Sequence, residues 1–273
     1  MPENMKKSTL TAVAAAVAAT LALSLGGCSM ETQSPADARA RAASDAGPGT
    51  GRPAQAPATG AGKGRGASAR TDCATAKCIA LTFDAGPGEH TARLLDILRE
   101  KNIHATFFLL GKNHVVTRPD LVRRLSDEGH EVANHTWSHR RLDQLGRDEI
   151  REELSRTQDA IAKITGRRPT LMRPPQGRIN DDVAEVSKEL GLAQILWSAT
   201  AKDYSTTDSE LIKTRILDQA GRDGIILLHD IYDGTVPAVP GIIDELEKRG
   251  YTFVTVPELL APAKAEPGAV YRP

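Results

Sequence analysis

Cys78-Ile79-Ala80-Leu81-Thr82-Phe83-Asp84-Ala85-Gly86-Pro87-Gly88 runs from a short apolar stretch directly into an acid and a Gly-Pro turn. A run of this length, closed by turn residues, is a buried strand over Cys78–Phe83 with Asp84 at its C-terminal end. Thr91 to Lys101 carries Leu94, Leu95, Ile97 and Leu98 at helical spacing. Ile103 to Leu110 reads as the next strand. Pro119 to Glu128 follows as a helix, with proline in its first turn and Gly129 at its stop. The alternation continues with strands at His130–Ala133, Thr170–Met172, Leu192–Trp197, Gly224–Leu228 and Tyr251–Val254. Between them lie helices at Asp148–Thr165, Asp181–Leu190, Asp208–Ala220 and Val239–Arg249. Strands that alternate with helices are joined by crossovers and pair in parallel. About seven such units in one domain predict an α/β chain folded as a (β/α)7 barrel, with a folded unit over 71–262.

In a barrel of this kind, chemistry gathers at the C-terminal ends of the strands. Asp84 follows the first strand, and Asn134, His135 and His139 follow the third. Arg173 follows the Thr170 strand, Asp203 the Leu192 strand, and His229 and Asp230 the Gly224 strand. All fall on one rim. His135 and His139, four apart, present two imidazoles on one side of a turn, suited to one cation; two surface histidines are the other reading. Thr136 stands where the zinc-protease motif needs glutamate. Asp84 is a turn cap or a general base. His229 is a core histidine or a general acid. Arg173, stiffened by Pro174 and Pro175, is an exposed loop arginine or a clamp on a carboxylate.

The 35 basic and 35 acidic residues cancel, and aromatics make up 4%. Neither an electrostatic nor a stacking platform for nucleic acid is indicated, and the chain is expected to be a monomer. Residues 1–27 read as an export signal: Lys6 and Lys7, an apolar run from Thr9 to Leu25, then Leu25-Gly26-Gly27-Cys28. The Leu-small-small-Cys box resembles a bacterial lipoprotein signal, which implies lipidation of Cys28 and an extracytoplasmic domain held on the membrane. Residues 29 to 70 contain no Ile, Leu, Val, Phe, Trp or Tyr. The stretch 28–70 is therefore expected to be a disordered tether, and 263–273 a loose C-terminal tail. In an oxidising compartment Cys73 and Cys78 pair as a short-loop disulfide, or remain two buried thiols.

Thr82-Phe83-Asp84-x-Gly86-Pro87, His135-Thr136-x-x-His139, Arg173-Pro174-Pro175, Asp203-Tyr204 and Leu227-Leu228-His229-Asp230 occur in the order of a known set and span Thr82 to Asp230. Together they resemble the polysaccharide deacetylase (NodB-like, carbohydrate esterase family 4) domain. The resemblance implies a distorted (β/α)7 barrel in a single domain. It also implies a metal-dependent hydrolase that removes acetyl groups from N-acetylglucosamine-containing polysaccharide, peptidoglycan or chitin-like. Carried over, His135 and His139 hold a divalent metal, zinc first, with cobalt or nickel as alternatives. Asp84 is the base, His229 the acid, Arg173 orients Asp84 and Asp203 supports the site. Gln176, through nearby backbone, and Tyr204 face the substrate and its oxyanion. Three departures stand out. Ala85 replaces the usual aspartate ligand, Thr200 stands where the fourth motif has its first Asp, and Gln176 replaces a common aromatic. The alternative to an enzyme is a carbohydrate-binding pseudoenzyme with an impaired metal site.

Overall fold

The computed structural model describes residues 32–46 and 71–273. The expected signal at 1–27, Cys28, and residues 29–31 and 47–70 of the expected tether lie outside them. The strands are β1 (Thr32–Gln33), β2 (Cys78–Asp84), β3 (Thr106–Leu109), β4 (Glu131–Asn134), β5 (Leu171–Met172), β6 (Ala193–Ile195), β7 (Ala199–Thr200), β8 (Gly224–His229), β9 (Thr252–Val254) and β10 (Val270–Tyr271). The helices are α1 (Pro35–Asp45), α2 (Thr91–Glu100), α3 (Pro119–Asp127), α4 (Arg147–Thr165), α5 (Asp181–Glu189), α6 (Ser209–Gln219), α7 (Thr235–Lys248) and α8 (Val256–Leu260). Each alternating element read from the sequence is present, with ends shifted by a few residues.

All strand pairs are parallel, in the order β1-β10-β6-β5-β4-β3-β2-β8-β7, with β9 also on β2. β6 and β7 sit at different places on this path but are separated only by Leu196-Trp197-Ser198. One chain segment therefore bridges both sides of the curled sheet. β9 wedges beside the first half of β2 (Cys78 to Ala80), and β3 beside its second half (Thr82 to Asp84). The result is a distorted parallel barrel in one domain.

The two-residue period of a strand sorts side chains between its two faces. Ile79, Leu81 and Phe83 of β2, Phe107 and Leu109 of β3, and Ile226 and Leu228 of β8 pack outward with Leu94, Leu95, Ile242 and Ile243 of the helices. Cys78 and Ala80 of β2, Phe108 of β3, Ala133 of β4 and Ile225 of β8 point to the interior cluster. The same parity carries Thr82, Asp84, His135 and His229 to the inner face, at the C-terminal rim.

The opposite end is plugged by α8, whose Val256, Leu259 and Leu260 join Cys73, Cys78, Ala80 and Tyr271. Cys73 and Cys78 form the expected disulfide there. Two expectations need correction. The tail is not loose: β10 pairs with β6 on one side and with β1 on the other. The tether is not wholly disordered either. Residues 34–45 start with a Ser34 capping box and Pro35 in the first helical turn, and form α1 against the base. Ala38 of α1 is buried in the interior cluster. Arg39 donates to the Leu259 carbonyl at 2.6 Å and to Asp223 at 2.7 Å. An alanine-rich helix with one deep arginine anchor needs no large apolar residue, and that is why the composition hid it.

Candidate active site

Asp84 ends β2 with its side chain 3% exposed, and a buried carboxylate needs a partner. Arg173 supplies it. Its Nη1 donates to Asp84 Oδ1 at 2.7 Å and to Thr82 Oγ1 at 2.7 Å, and its Nε to the Ile195 carbonyl at 3.0 Å. Thr82 in turn donates to the Ile226 carbonyl. The guanidinium lies 4.1 Å from the Phe108 ring centroid. Burial pulls the Arg173 pKa down and Asp84 opposes this; an arginine remains charged regardless. One carboxylate oxygen is thus pinned, while Oδ2 faces His135, 3.9 Å from its Nε2.

His135 and His139 stand on a tight turn after β4, with ring centroids 5.0 Å apart. Thr136 and His139 both adopt positive φ, at 72° and 63°. A turn that non-glycine residues adopt reluctantly must be held from outside. Asn134 accepts from the Thr136 N–H at 2.8 Å and donates to the Leu154 carbonyl of α4. Thr136 Oγ1 accepts from the His139 N–H. Glu153 of α4 accepts from both the N–H and the hydroxyl of Ser138, at 2.8 and 2.5 Å. His135 Nδ1 lies 2.8 Å from the Arg173 carbonyl. A carbonyl only accepts, so Nδ1 carries the hydrogen and the Nε2 lone pair is left facing the rim. Burial lowers the His135 pKa to about 4 and also lowers that of His139, with Asp84 opposing in both. Both rings are therefore neutral near pH 7, the form that ligates.

Across the rim, His229 Nδ1 sits 2.8 Å from Asp203 Oδ1. Asp203 Oδ2 accepts from the His229 N–H and from the Thr235 hydroxyl. Burial alone would lower the His229 pKa, but the hydrogen bond and charge of Asp203 win and the net direction is up. The two sides meet in a cleft of about 730 Å³, into which Asp84, Ala85, His135, His139, Gln176 and His229 open.

A family model described as "Polysaccharide deacetylase" matches residues 71–195. A peptidoglycan-N-acetylglucosamine deacetylase of Bacillus cereus is 38% identical over 67% of this chain and 88% of its own length. The chain belongs to the polysaccharide deacetylase family. The peptidoglycan-N-acetylmuramic acid deacetylase PdaC of Bacillus subtilis is 42% identical over 67% of this chain and 38% of that protein, so the chain spans about two fifths of PdaC. The solved structure "T48 deacetylase with substrate" superposes with a TM-score of 0.70 at 39% identity, covering 74% of this chain and 99% of that one.

Every rim residue singled out in the sequence as part of the deacetylase motif set meets at this cleft or directly behind it. Gln176 lines it with a positive φ of 58°, and Tyr204, 59% exposed, stands at its edge. Trp197, Lys202, Leu110 and Tyr232 also line the cleft and were not singled out, although Leu110 and Trp197 end expected strands. Thr82 of the motif set, Asn134 of the rim and Glu153, which the sequence did not single out, hold the site residues from behind. Asp230, wholly buried, takes the Thr91 hydroxyl on Oδ2, while Oδ1 has no hydrogen-bond partner among the described residues. Burial raises its pKa to about 6. It lies directly against Gly86, where a Cβ would come within 2.3 Å of Oδ1.

The donors fit a divalent cation in part. His135 and His139 offer neutral nitrogens with one tautomer fixed from behind. Where the deacetylase motif has a second aspartate, the methyl of Ala85 offers nothing. Ala85 has a φ of 64°, a conformation that aspartate accepts more readily than alanine. Among the described residues, three metal-capable groups with ligand atoms mutually within 4.8 Å occur elsewhere, at Glu89, His90 and Asp233. That group lies outside the cleft lining, with both carboxylates exposed and His90 Nε2 already 3.0 Å from Asp233.

Proposed function

We propose that this chain is an extracytoplasmic deacetylase that hydrolyses N-acetyl groups of N-acetylglucosamine-containing glycan, peptidoglycan first. The observation that carries the reading is the pair of opposed, separately supported groups in one cleft: Asp84 on Arg173, and His229 on Asp203. The relatives named for peptidoglycan point to the substrate. The Leu25-Gly26-Gly27-Cys28 box supports lipid anchoring at Cys28.

His135 and His139 would hold the cation, zinc or a similar metal, which when bound polarises the acetyl carbonyl and acidifies water. Asp84, fixed through Oδ1, uses Oδ2 to take the proton of the attacking water. His229, with Nδ1 on Asp203, presents Nε2 to the departing sugar nitrogen and gives it a proton as the C–N bond breaks. Backbone near Gln176 faces the developing oxyanion. Tyr204 at the cleft edge offers a surface to the sugar.

Ala85 is the residue that speaks for glycan binding without turnover. The intact Asp84–Arg173 and His229–Asp203 pairs speak for hydrolysis, because binding a neutral sugar requires neither. The test is acetate release from peptidoglycan and N-acetylglucosamine oligomers by the chain from Ser29 onward, stripped of metal and then supplied with zinc, cobalt or nickel. Metal-dependent release abolished by Asp84→Asn and by His229→Ala is the expected result. A folded protein that releases no acetate with any metal overturns the reading, and recovery in Ala85→Asp would identify the missing carboxylate as the cause.

A further inference from the structure

The 28–70 stretch was expected to be one long leash between the lipid and the barrel. The structure divides it. β1 begins at Thr32 and is already paired with β10, in the register Thr32 to Val270 and Gln33 to Tyr271, and the Arg272 N–H donates to the Gln33 carbonyl. α1 follows at once and is fastened by Arg39, whose side chain is 8% exposed, to Asp223 and to the end of α8. Asp223 immediately precedes β8, and α8 plugs the interior cluster. Every strand is parallel, so this docking face is the base of the barrel and the cleft opens at the other end.

Cys28 is four residue steps before Thr32. Four steps of extended chain span at most about 14 Å. A free leash from Cys28 to Thr71 would have 43 steps, with a typical end-to-end distance of roughly 35 Å and a far greater maximum. We infer that the β1–α1 segment is a cis-docking clamp that seats the base of the barrel on the lipid bilayer, so that the cleft faces away from the membrane and works on membrane-proximal glycan. This rests on the reading of Cys28 as the lipid attachment point. The 47–70 segment then links two parts of one docked body and does not set the reach of the enzyme.

The clamp is tested on the full-length chain in a bacterial host that processes lipoproteins, with a specific protease site inserted between Gly60 and Ala61. After cleavage in isolated membranes, the catalytic fragment stays in the membrane fraction, held by β1 and α1. With Ala38→Asp and Arg39→Glu added, the uncut chain stays bound and cleavage releases the fragment. Release of the parent fragment on cleavage overturns the clamp. Palmitate labelling of the N-terminal fragment, lost in Cys28→Ala, reads the anchor separately. Retention without labelling overturns the lipid reading and leaves the clamp; labelling with release does the reverse. For orientation, a fluorophore at Arg272→Cys is quenched by a lipid-borne quencher at least several-fold more than one at Tyr204→Cys, and equal quenching overturns the seating.

Discussion

Replacing Asp203 by asparagine keeps the shape of the side chain and one acceptor but removes the charge behind His229. His229 Nδ1 and Asp203 Oδ1 are 2.8 Å apart, with Asp203 1% exposed. A hydrogen bond to a charged group contributes roughly 1.5–3 kcal/mol. At about 1.4 kcal/mol per pKa unit, its loss lowers the His229 pKa by roughly 1–2 units. In the proposed role His229 acts in its protonated form, so activity is expected to fall as pH rises through its pKa. Asp203→Asn therefore moves the basic limb of kcat/KM down by roughly 1–2 units, and on the alkaline side the rate drops roughly 10–100-fold. The fold responds with the same sign. The raised pKa contributes stability that is fully present below the ordinary histidine value of about 6.5 and fades as pH climbs through the folded-state value. The assay is acetate release across pH 5–9 (about the range of a histidine limb), with thermal melts in the same buffers. A lower rate with an unmoved basic limb would refute the assignment of His229 as the acid that Asp203 tunes.

Ala85→Asp places a carboxylate at a positive-φ position beside His135 and His139. It should tighten zinc binding by about tenfold or more in a calorimetric titration without lowering the metal-free melting temperature. Glu153→Gln weakens the hold on Ser138 and should raise the metal Kd about 10–100-fold, while the exposed control Glu152→Gln leaves it unchanged. Arg173→Met leaves the Asp84 charge buried and alone, and should cost roughly 3–5 kcal/mol in urea unfolding. Adding Asp84→Asn should recover part of that loss, and no recovery would refute the pairing. Cys73→Ser with Cys78→Ser opens a short loop at the base and should cost roughly 2 kcal/mol, matched by the effect of a reductant on the parent chain.

The barrel was legible because its strands and helices keep separate periods. Ile79, Leu81 and Phe83 alternate with residues of the opposite face, while Leu94, Leu95 and Leu98 recur at helical spacing. Asp84, Asn134, His135, Arg173 and His229 were legible because each follows such a run within two residues, while His139 and Asp203 lie a few residues further on. The base was not legible. α1 has no large apolar residue, β10 is two residues long, and α8, at five residues, is too short to show a period. What marks them is local chemistry: serine or threonine followed three residues on by an acid, with proline between, at Ser34–Asp37 and Thr255–Glu258. Asn134 was placed on the rim, but its supporting role was not legible, and Glu153 was not singled out at all: each is an ordinary polar residue until the His135 turn under α4 gives it a particular N–H to accept from.

The Asp84-Ala85-Gly86 loop has a consequence for how such a site changes over generations. Asp84 is locked by Arg173 and Gly86 by the volume of Asp230, so substitution at either disturbs a buried carboxylate. Ala85, between them, lines the cleft. A substitution there leaves both neighbouring contacts in place. A carboxylate at that position is a single substitution away, at a site where it would face His135 and His139 without disturbing either buried carboxylate beside it.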